Sequence, residues 1–177
     1  MDVSEAVRFK RAVRQFKPDP LPLPAVMEIL NAGRRAQSSK NRQGWRFIAV
    51  TDREKLEKLS KTGQYAGHLA GAALGVFILT PNPAEHPAIL FDAGQAAAYM
   101  QLAAWEMGIG SCIATIYDPE KARRLLCFPA EWFARMALSF GYPAEPGALT
   151  RPPQKGGRES LTELVHWNAW ESSPCDE

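Results

Sequence analysis

Apolar residues near the start of the chain fall at Val3, Ala6, Val7 and Val13, roughly helical intervals, behind an Asp2 and Glu5 pair with capping-box spacing. The pattern predicts a first helix reaching about Arg14, with a cationic last turn. From Lys17 to Pro24 proline recurs at alternating positions, which forbids a helix and predicts an extended arm. Pro24 then opens a second helix, AVMEILNAGRRA, ending near Ala36. A polar loop, QSSKNRQG, separates it from the apolar run WRFIAVT, a short strand closed by Thr51, whose spacing to Glu54 predicts a capping box for a third helix.

LGVFILT, Leu74 to Thr80, is apolar on both alternating sets of positions, as in a strand covered on both faces, and the proline-rich PNPAEHP after it is a surface loop. The longest periodic segment runs from Ile89 to Met107, with Phe91, Ala98, Leu102 and Trp105 among its apolar positions, and stops at Gly108 and Gly110. A strand, SCIATIY, follows it. Asp118 and Pro119 open another helix, and ARMALSFGY is a last alternating strand with Met136, Leu138 and Phe140 on one face. Beyond Tyr142 five prolines accompany one short periodic stretch, LTELVHW, so residues 143–177 read as an arm. Helices and strands intermixed without a repeat indicate an α+β fold, as one domain over 1–177.

Composition narrows the partner classes. The chain has 177 residues, 46% hydrophobic and 23% charged, with a formal charge of +2 and a pI near 8.5. That charge is too small to argue for nucleic acid or a membrane as partner, so a basic site must be local. Cys112, Cys127 and Cys175 lack C-x-x-C or Cys/His spacing, which argues against a disulfide framework or zinc site and for a reducing cytoplasm. The charged N-terminus does not read as a signal peptide, and no run reaches the roughly 18 apolar residues of a membrane span.

Four segments carry candidate chemistry. In FKRAVRQF, a helix to Arg14 would put Lys10 and Arg14 on one face with Arg11 to the side, an arrangement suited to a phosphate or to a solvated helix C-terminus. The loop with Gln37, Ser38, Ser39 and Asn41 offers turn-forming donors and acceptors, fit to grip a polar heterocycle or simply to turn the chain. MGIGSCIATIYDPE ends a helix and opens a strand with small residues, the reverse of the dinucleotide fingerprint, whose glycines follow a strand and open a helix. In FGYPAEPGALTRPP, Arg151 is a lone cation, either an anion clamp or an ordinary surface arginine. His68, His86 and His166 are scattered and read as structural or exposed; Trp105 and Trp132 read as core.

Taken in order, these segments resemble the nitroreductase family: an R-R-S-V-R-x-F type opening, an A-P-S-x-x-N-x-Q-P-W loop, a G-L-G-x-C strand and a G-Y-P ending. The resemblance implies a mixed central sheet flanked by helices, and an intertwined homodimer whose C-terminal arms wrap the partner around two interfacial FMN sites. By position, Arg14 would lie near the pyrimidine edge, with Lys10, Arg11 and Arg151 toward the phosphate and Ala12 where the family has Ser. Gln37, Ser38, Ser39 and Asn41 would come from the other subunit, and Ala114 and Thr115 would offer backbone groups near flavin N5. No side chain is assigned a catalytic role, because the flavin would carry the electrons. The implied activity is ping-pong transfer from NAD(P)H to a nitroaromatic, quinone or similar acceptor; the alternatives are a specialised flavin-dependent reductase or oxidase, as in dehalogenation or azoline oxidation, or a non-catalytic binder of FMN or another phosphorylated ligand. Ala12, Lys10, Gln37 and Gly44 depart from the pattern, and a lysine holds phosphate as a point charge without the bidentate grip of arginine.

Overall fold

The computed structural model describes residues 2–145, 147–150 and 157–170. Its elements, in chain order, are α1 (Val3–Phe9), α2 (Leu23–Arg34), β1 (Arg46–Val50), α3 (Arg53–Ser60), β2 (Leu74–Thr80), α4 (Ala88–Glu106), β3 (Gly110–Thr115), α5 (Pro119–Leu126), β4 (Phe133–Gly141) and α6 (Leu161–Leu164). Short 3-10 turns occupy Ser39–Asn41 and Gly67–Leu69. The strands lie in the order β1-β2-β4-β3, and every pairing among them is antiparallel. The fold is α+β as expected, but the sheet is not mixed within these strands: its parallel component is an isolated bridge between Ala12 and Ser111.

The alternation of β2 explains its continuous apolar run. Leu74, Val76 and Ile78 face α2 and α4 together with Leu138 and Phe140, while Phe77 faces α3 and α5 with Ala137 and Ala114. A central strand with both faces covered has no solvent side on which to place polar residues. α4 lies on the first face through Ala93, Ala96, Met100 and Ala104, and α2 packs beside it, its Gly33 leaving the room that the Met100 side chain fills. Trp45 is buried in this core and stacks on Phe47, with ring centroids 6.4 Å apart.

Two boundaries differ from the sequence expectation. α3 is capped by Asp52, whose carboxylate accepts the Lys55 N–H at 2.7 Å, one residue after the Thr51 expected in that role. A carboxylate accepts this bond with a full charge at the positive helix end, so it displaces the hydroxyl as cap. α1 ends at Phe9, not near Arg14. There the Arg11 guanidinium turns back to the carbonyls of Arg8 and Lys10, at 2.8 and 2.9 Å, and the chain becomes extended.

The start of the C-terminal segment stays on its own chain. Ala144 N–H donates to the Gln15 carbonyl at 3.0 Å, Lys17 N–H to the Tyr142 carbonyl at 2.8 Å, and the Trp105 indole to the Leu149 carbonyl at 3.1 Å. Among the described residues no helix is long and apolar enough to cross a membrane.

Candidate functional site

Residues 10–17 form a ribbon along the outer edge of β3. Val13 N–H donates to the Ser111 carbonyl at 2.9 Å, and Phe16 bridges to Pro143. The ribbon approaches so closely because Gly110 has no side chain: a Cβ there would lie 2.7 Å from the Val13 Cβ. The cationic motif is therefore extended rather than helical, and Lys10, Arg11 and Arg14 do not share a helix face. Pairing with a sheet edge outweighs local helix propensity, and the β-branched Val13 suits that edge.

The extended path separates the four motif residues. Arg11 is committed to the end of α1, and Ala12 is exposed at its bridge to Ser111. Arg14 and Lys10 both come close enough to act electrostatically on the Cys112 thiol. Burial pushes that thiol upward, the larger effect, while Arg14 and then Lys10 draw it down. Burial likewise lowers the Lys10 ammonium, with the Cys112 sulfur acting in the opposite sense.

Across β3 from this ribbon, the turn at Gly67–Leu69 inserts His68 toward the sheet. His68 Nδ1 lies 2.7 Å from the Ser139 hydroxyl, and Ser139 Oγ lies 3.4 Å from the Cys112 carbonyl. His68 is 9% exposed, and its Nε2 is buried without a hydrogen-bond partner. Desolvation holds the imidazole below its ordinary value; the Ile113 carbonyl works against that shift and the Arg14 charge adds to it. Arg14, Gln15, Tyr65, Gly67 and His68 line an open cavity of about 580 Å³. Gly67 faces empty space, and Tyr65 is 70% exposed at the rim. An adjoining cavity of about 410 Å³ shares Arg14 and Gln15 and is bounded by Ala12, Glu145 and Ala148.

The end of β3 supplies backbone groups. Because the Ser111 carbonyl faces the ribbon, alternation turns the N–H and C=O of Ile113 and Thr115 to the same outer edge and those of Ala114 toward β4. Of the expected pair, Thr115 therefore directs its backbone to the outer edge of β3, whereas Ala114 pairs with β4 and has a buried side chain. Gly63 lies so close to the Thr115 carbonyl that a Cβ would collide with it.

The loop holding Gln37, Ser38, Ser39 and Asn41 lies elsewhere in the chain. Its Ser39 N–H donates to the buried Asp92 carboxylate on α4 at 3.1 Å, Ser38 Oγ accepts the Gln43 N–H at 2.9 Å, and Asn41 accepts the Gln43 amide at 3.0 Å. Lys40, Asn41 and Gln43 all have positive φ, between 47° and 54°, so side-chain anchors at both ends hold a costly backbone path. The loop borders a cavity of about 430 Å³ with His86, Ile89 and Asp92, which shares no lining residue with the Arg14 cavity. Within one chain the two predicted halves of the site do not meet. Arg151 lies outside the described residues.

The sequence did not place His68 or Tyr65 beside the Arg14 cavity. The signal for His68 is faint: a polar residue in Q-Y-A-G-H-L, one turn before the apolar run into β2, marks a side chain that must be buried and bonded.

The residues present fit a flavin mononucleotide. An extended cation, an open glycine, a rim aromatic and a largely buried imidazole line a cavity in the usual size range for cofactor sites. Residues 7–63 and 60–142 match the model of the nitroreductase family. The chain is 27% identical over 184 residues to an NADH dehydrogenase of Thermus thermophilus, covering 83% of this chain and 89% of the relative. It is 28% identical over 165 residues to an iodotyrosine deiodinase of Thermotoga neapolitana, covering 77% and 86%. An FMN-dependent nitroreductase structure from Clostridium difficile R20291 superposes with a TM-score of 0.80 at 27% identity, over 95% of this chain and all of that one. With the family model covering most of its length, this chain belongs to the nitroreductase family.

Proposed function

We propose that the chain is an FMN-dependent oxidoreductase that takes hydride from NAD(P)H and reduces nitroaromatic, quinone or similar small acceptors in a ping-pong cycle. The observation that carries the reading is the Arg14 ribbon, fixed on the open edge of β3 beside a cavity lined by Gln15, Tyr65, Gly67 and His68. Bound FMN would supply two-electron chemistry, which leaves the protein to bind, orient and tune. Arg14 would face the pyrimidine edge and stabilise negative charge there, which favours reduction. Lys10 and Arg151 would serve the phosphate, with Arg11 held back by its bonds to the end of α1, and Thr115 backbone would meet the central ring. The exposed Tyr65 ring is placed to stack on an entering planar substrate.

The same reading requires two chains in a homodimer. Gln37, Ser38, Ser39 and Asn41 lie away from their own Arg14 cavity, so they would complete the partner's site. Exposed apolar residues support such an interface: Leu90, Phe91 and Tyr99 on α4, Val3 and Val7 on α1, and Leu161, Leu164, Trp167 and Trp170 along the C-terminal arm. The unit would be one domain over 1–177, its arm from about residue 143 continuing toward the partner.

A second reading, reductive dehalogenation of a halogenated aromatic, is favoured by the identity to the iodotyrosine deiodinase. Halide release from an iodophenol under reducing conditions would distinguish it from nitro reduction. The flavin assignment is tested by titrating the purified protein with FMN and with riboflavin, alongside Arg14→Ala. FMN should bind more tightly than riboflavin, and the variant should lose about tenfold or more in affinity. Absence of FMN binding by the unaltered protein would remove the reading.

A further inference from the structure

α4 is apolar nearly all the way round. Across Ala88–Glu106 its charged residues are Asp92, which is buried, and Glu106 at the last position. A helix of that composition belongs in an interior, because it has no charged face to offer water. One side of α4 does lie on the sheet, through Ala93, Ala96, Met100 and Ala104. The other leaves Leu90, Phe91, Gly94, Ala98 and Tyr99 exposed, Phe91 at 75%. Leu90, Gly94 and Ala98 follow one another at four-residue steps and form a ridge. Beside that ridge an apolar cavity of about 510 Å³ lies between Gly94, Ala97 and Ala98 on the helix and Ile113, Met136 and Leu138 on the sheet. Ile113 is itself exposed there, so the apolar surface continues from α4 onto β3.

The same helix is tied to both separated halves of the site. Near its start, Asp92 accepts the Ser39 N–H and so holds the loop with Gln37, Ser38 and Asn41. Further along, the Gln101 amide donates to the Ser111 hydroxyl at 3.2 Å, and the Ser111 carbonyl accepts the N–H of Val13, the residue before Arg14. Asp92 and Gln101 are nine residues apart, about 14 Å along the helix. In a two-fold pair, if residue i of one chain meets residue j of the other, j also meets i. Resting on the homodimeric flavin reading above, we propose that the exposed face of α4 seats α4 of a second copy of this chain, the helices antiparallel and crossing between Ala96 and Ala97. The partner subunit's Gln101 then stands level with Asp92, and the loop that Asp92 holds reaches the partner's Arg14 ribbon. One crossing covers the apolar ridge, closes the cavity and joins both half-sites. A parallel crossing would instead set loop beside loop. Gly94 has no atom within 4 Å of where a Cβ would stand, and with Ala97 and Ala98 it keeps the ridge low enough for the helix axes to approach closely.

The test places cysteine at Ala98, within one turn of the crossing, in a chain whose Cys127 and Cys175 are serine. Under mild oxidation Ala98→Cys should become a covalent dimer on denaturing electrophoresis, whereas Lys58→Cys, exposed on α3, should stay a single chain. Ala98→Glu, which puts a charge into the covered ridge, should shift the protein from dimer to monomer in sedimentation equilibrium with its helical circular dichroism kept, and should bind FMN about tenfold or more weakly. A monomeric unaltered protein, a dimer that persists in Ala98→Glu, or no cross-link at Ala98→Cys overturns the proposal. The cross-link is read even if the charged variant does not fold. A dimer that binds FMN without the Ala98 cross-link overturns this inference alone, whereas a cross-linked dimer that binds no FMN keeps the helix pairing and overturns the flavin reading.

Discussion

The side chain of Val13 fills the space where Gly110 would carry a Cβ. A methyl there would lie within 2.9 Å of all three Val13 side-chain carbons, while the Val13 N–H bonds the Ser111 carbonyl at 2.9 Å. This contact holds Arg14 at the cavity, one residue further on. Gly110→Ala should push the ribbon off β3, costing about 1–3 kcal/mol in urea unfolding and weakening FMN binding in the same preparation. Unchanged stability and affinity would show that the ribbon does not depend on that approach.

Cys127 ends α5 in the left-handed conformation, with φ of 55°, and its N–H bonds the Arg123 carbonyl at 2.7 Å. Glycine adopts this conformation without the Cβ clash. Cys127→Gly should raise unfolding stability by about 1 kcal/mol, read from the denaturation midpoint, and leave FMN affinity unchanged because α5 lines neither cavity that contains Arg14.

Stability should depend on pH through His68. Its folded-state value is depressed below 6.5, so the unfolded chain binds the proton first as the solution is acidified. Above 6.5 both states are neutral and the group contributes no slope; below it, stability falls until the folded imidazole also titrates. In the flavin-free protein the melting temperature should therefore decline from pH 6.5 downward. His68→Gln, which does not titrate, should flatten that part of the decline. A variant with the same acid slope would place the titrating group elsewhere.

Asp92 is a buried carboxylate whose described bond is to the Ser39 N–H. Asp92→Ala would leave that amide without its partner and free one end of a loop with three left-handed residues. We expect a loss of about 1–3 kcal/mol and, if the loop completes the partner's site, weaker FMN binding in the dimer. Asp92→Asn, which keeps an acceptor oxygen, should recover most of both.

Periodic stretches were legible in the sequence. α2, β2, α4, β3, α5 and β4 lie close to their expected positions because each buries a whole face against a neighbour, and the burial pattern is written in the residues. The end of α1 was not legible. Whether FKRAVRQF coils or extends depends on the open edge of β3, formed about 100 residues later, and on Gly110 leaving it bare. The same holds for the burial of His68, whose ring is held by Ser139 on β4. The antiparallel character of the sheet was likewise set by connection geometry rather than by any one segment. Within the motifs, Arg14 lines the open cavity and Thr115 lies at the outer edge of β3, whereas the Arg11 guanidinium bonds the end of α1 and the backbone of Ala114 faces β4.

On the proposed function, the Arg14 cavity holds a flavin that exchanges electrons with a nicotinamide. The most direct measurement is the visible absorption spectrum of the FMN-loaded protein during anaerobic addition of NADH or NADPH, followed by a nitroaromatic or quinone. Bleaching of the flavin band by the nicotinamide and its return with the acceptor is the predicted result. A protein that binds no FMN, or whose bound flavin neither nicotinamide reduces, would contradict the account.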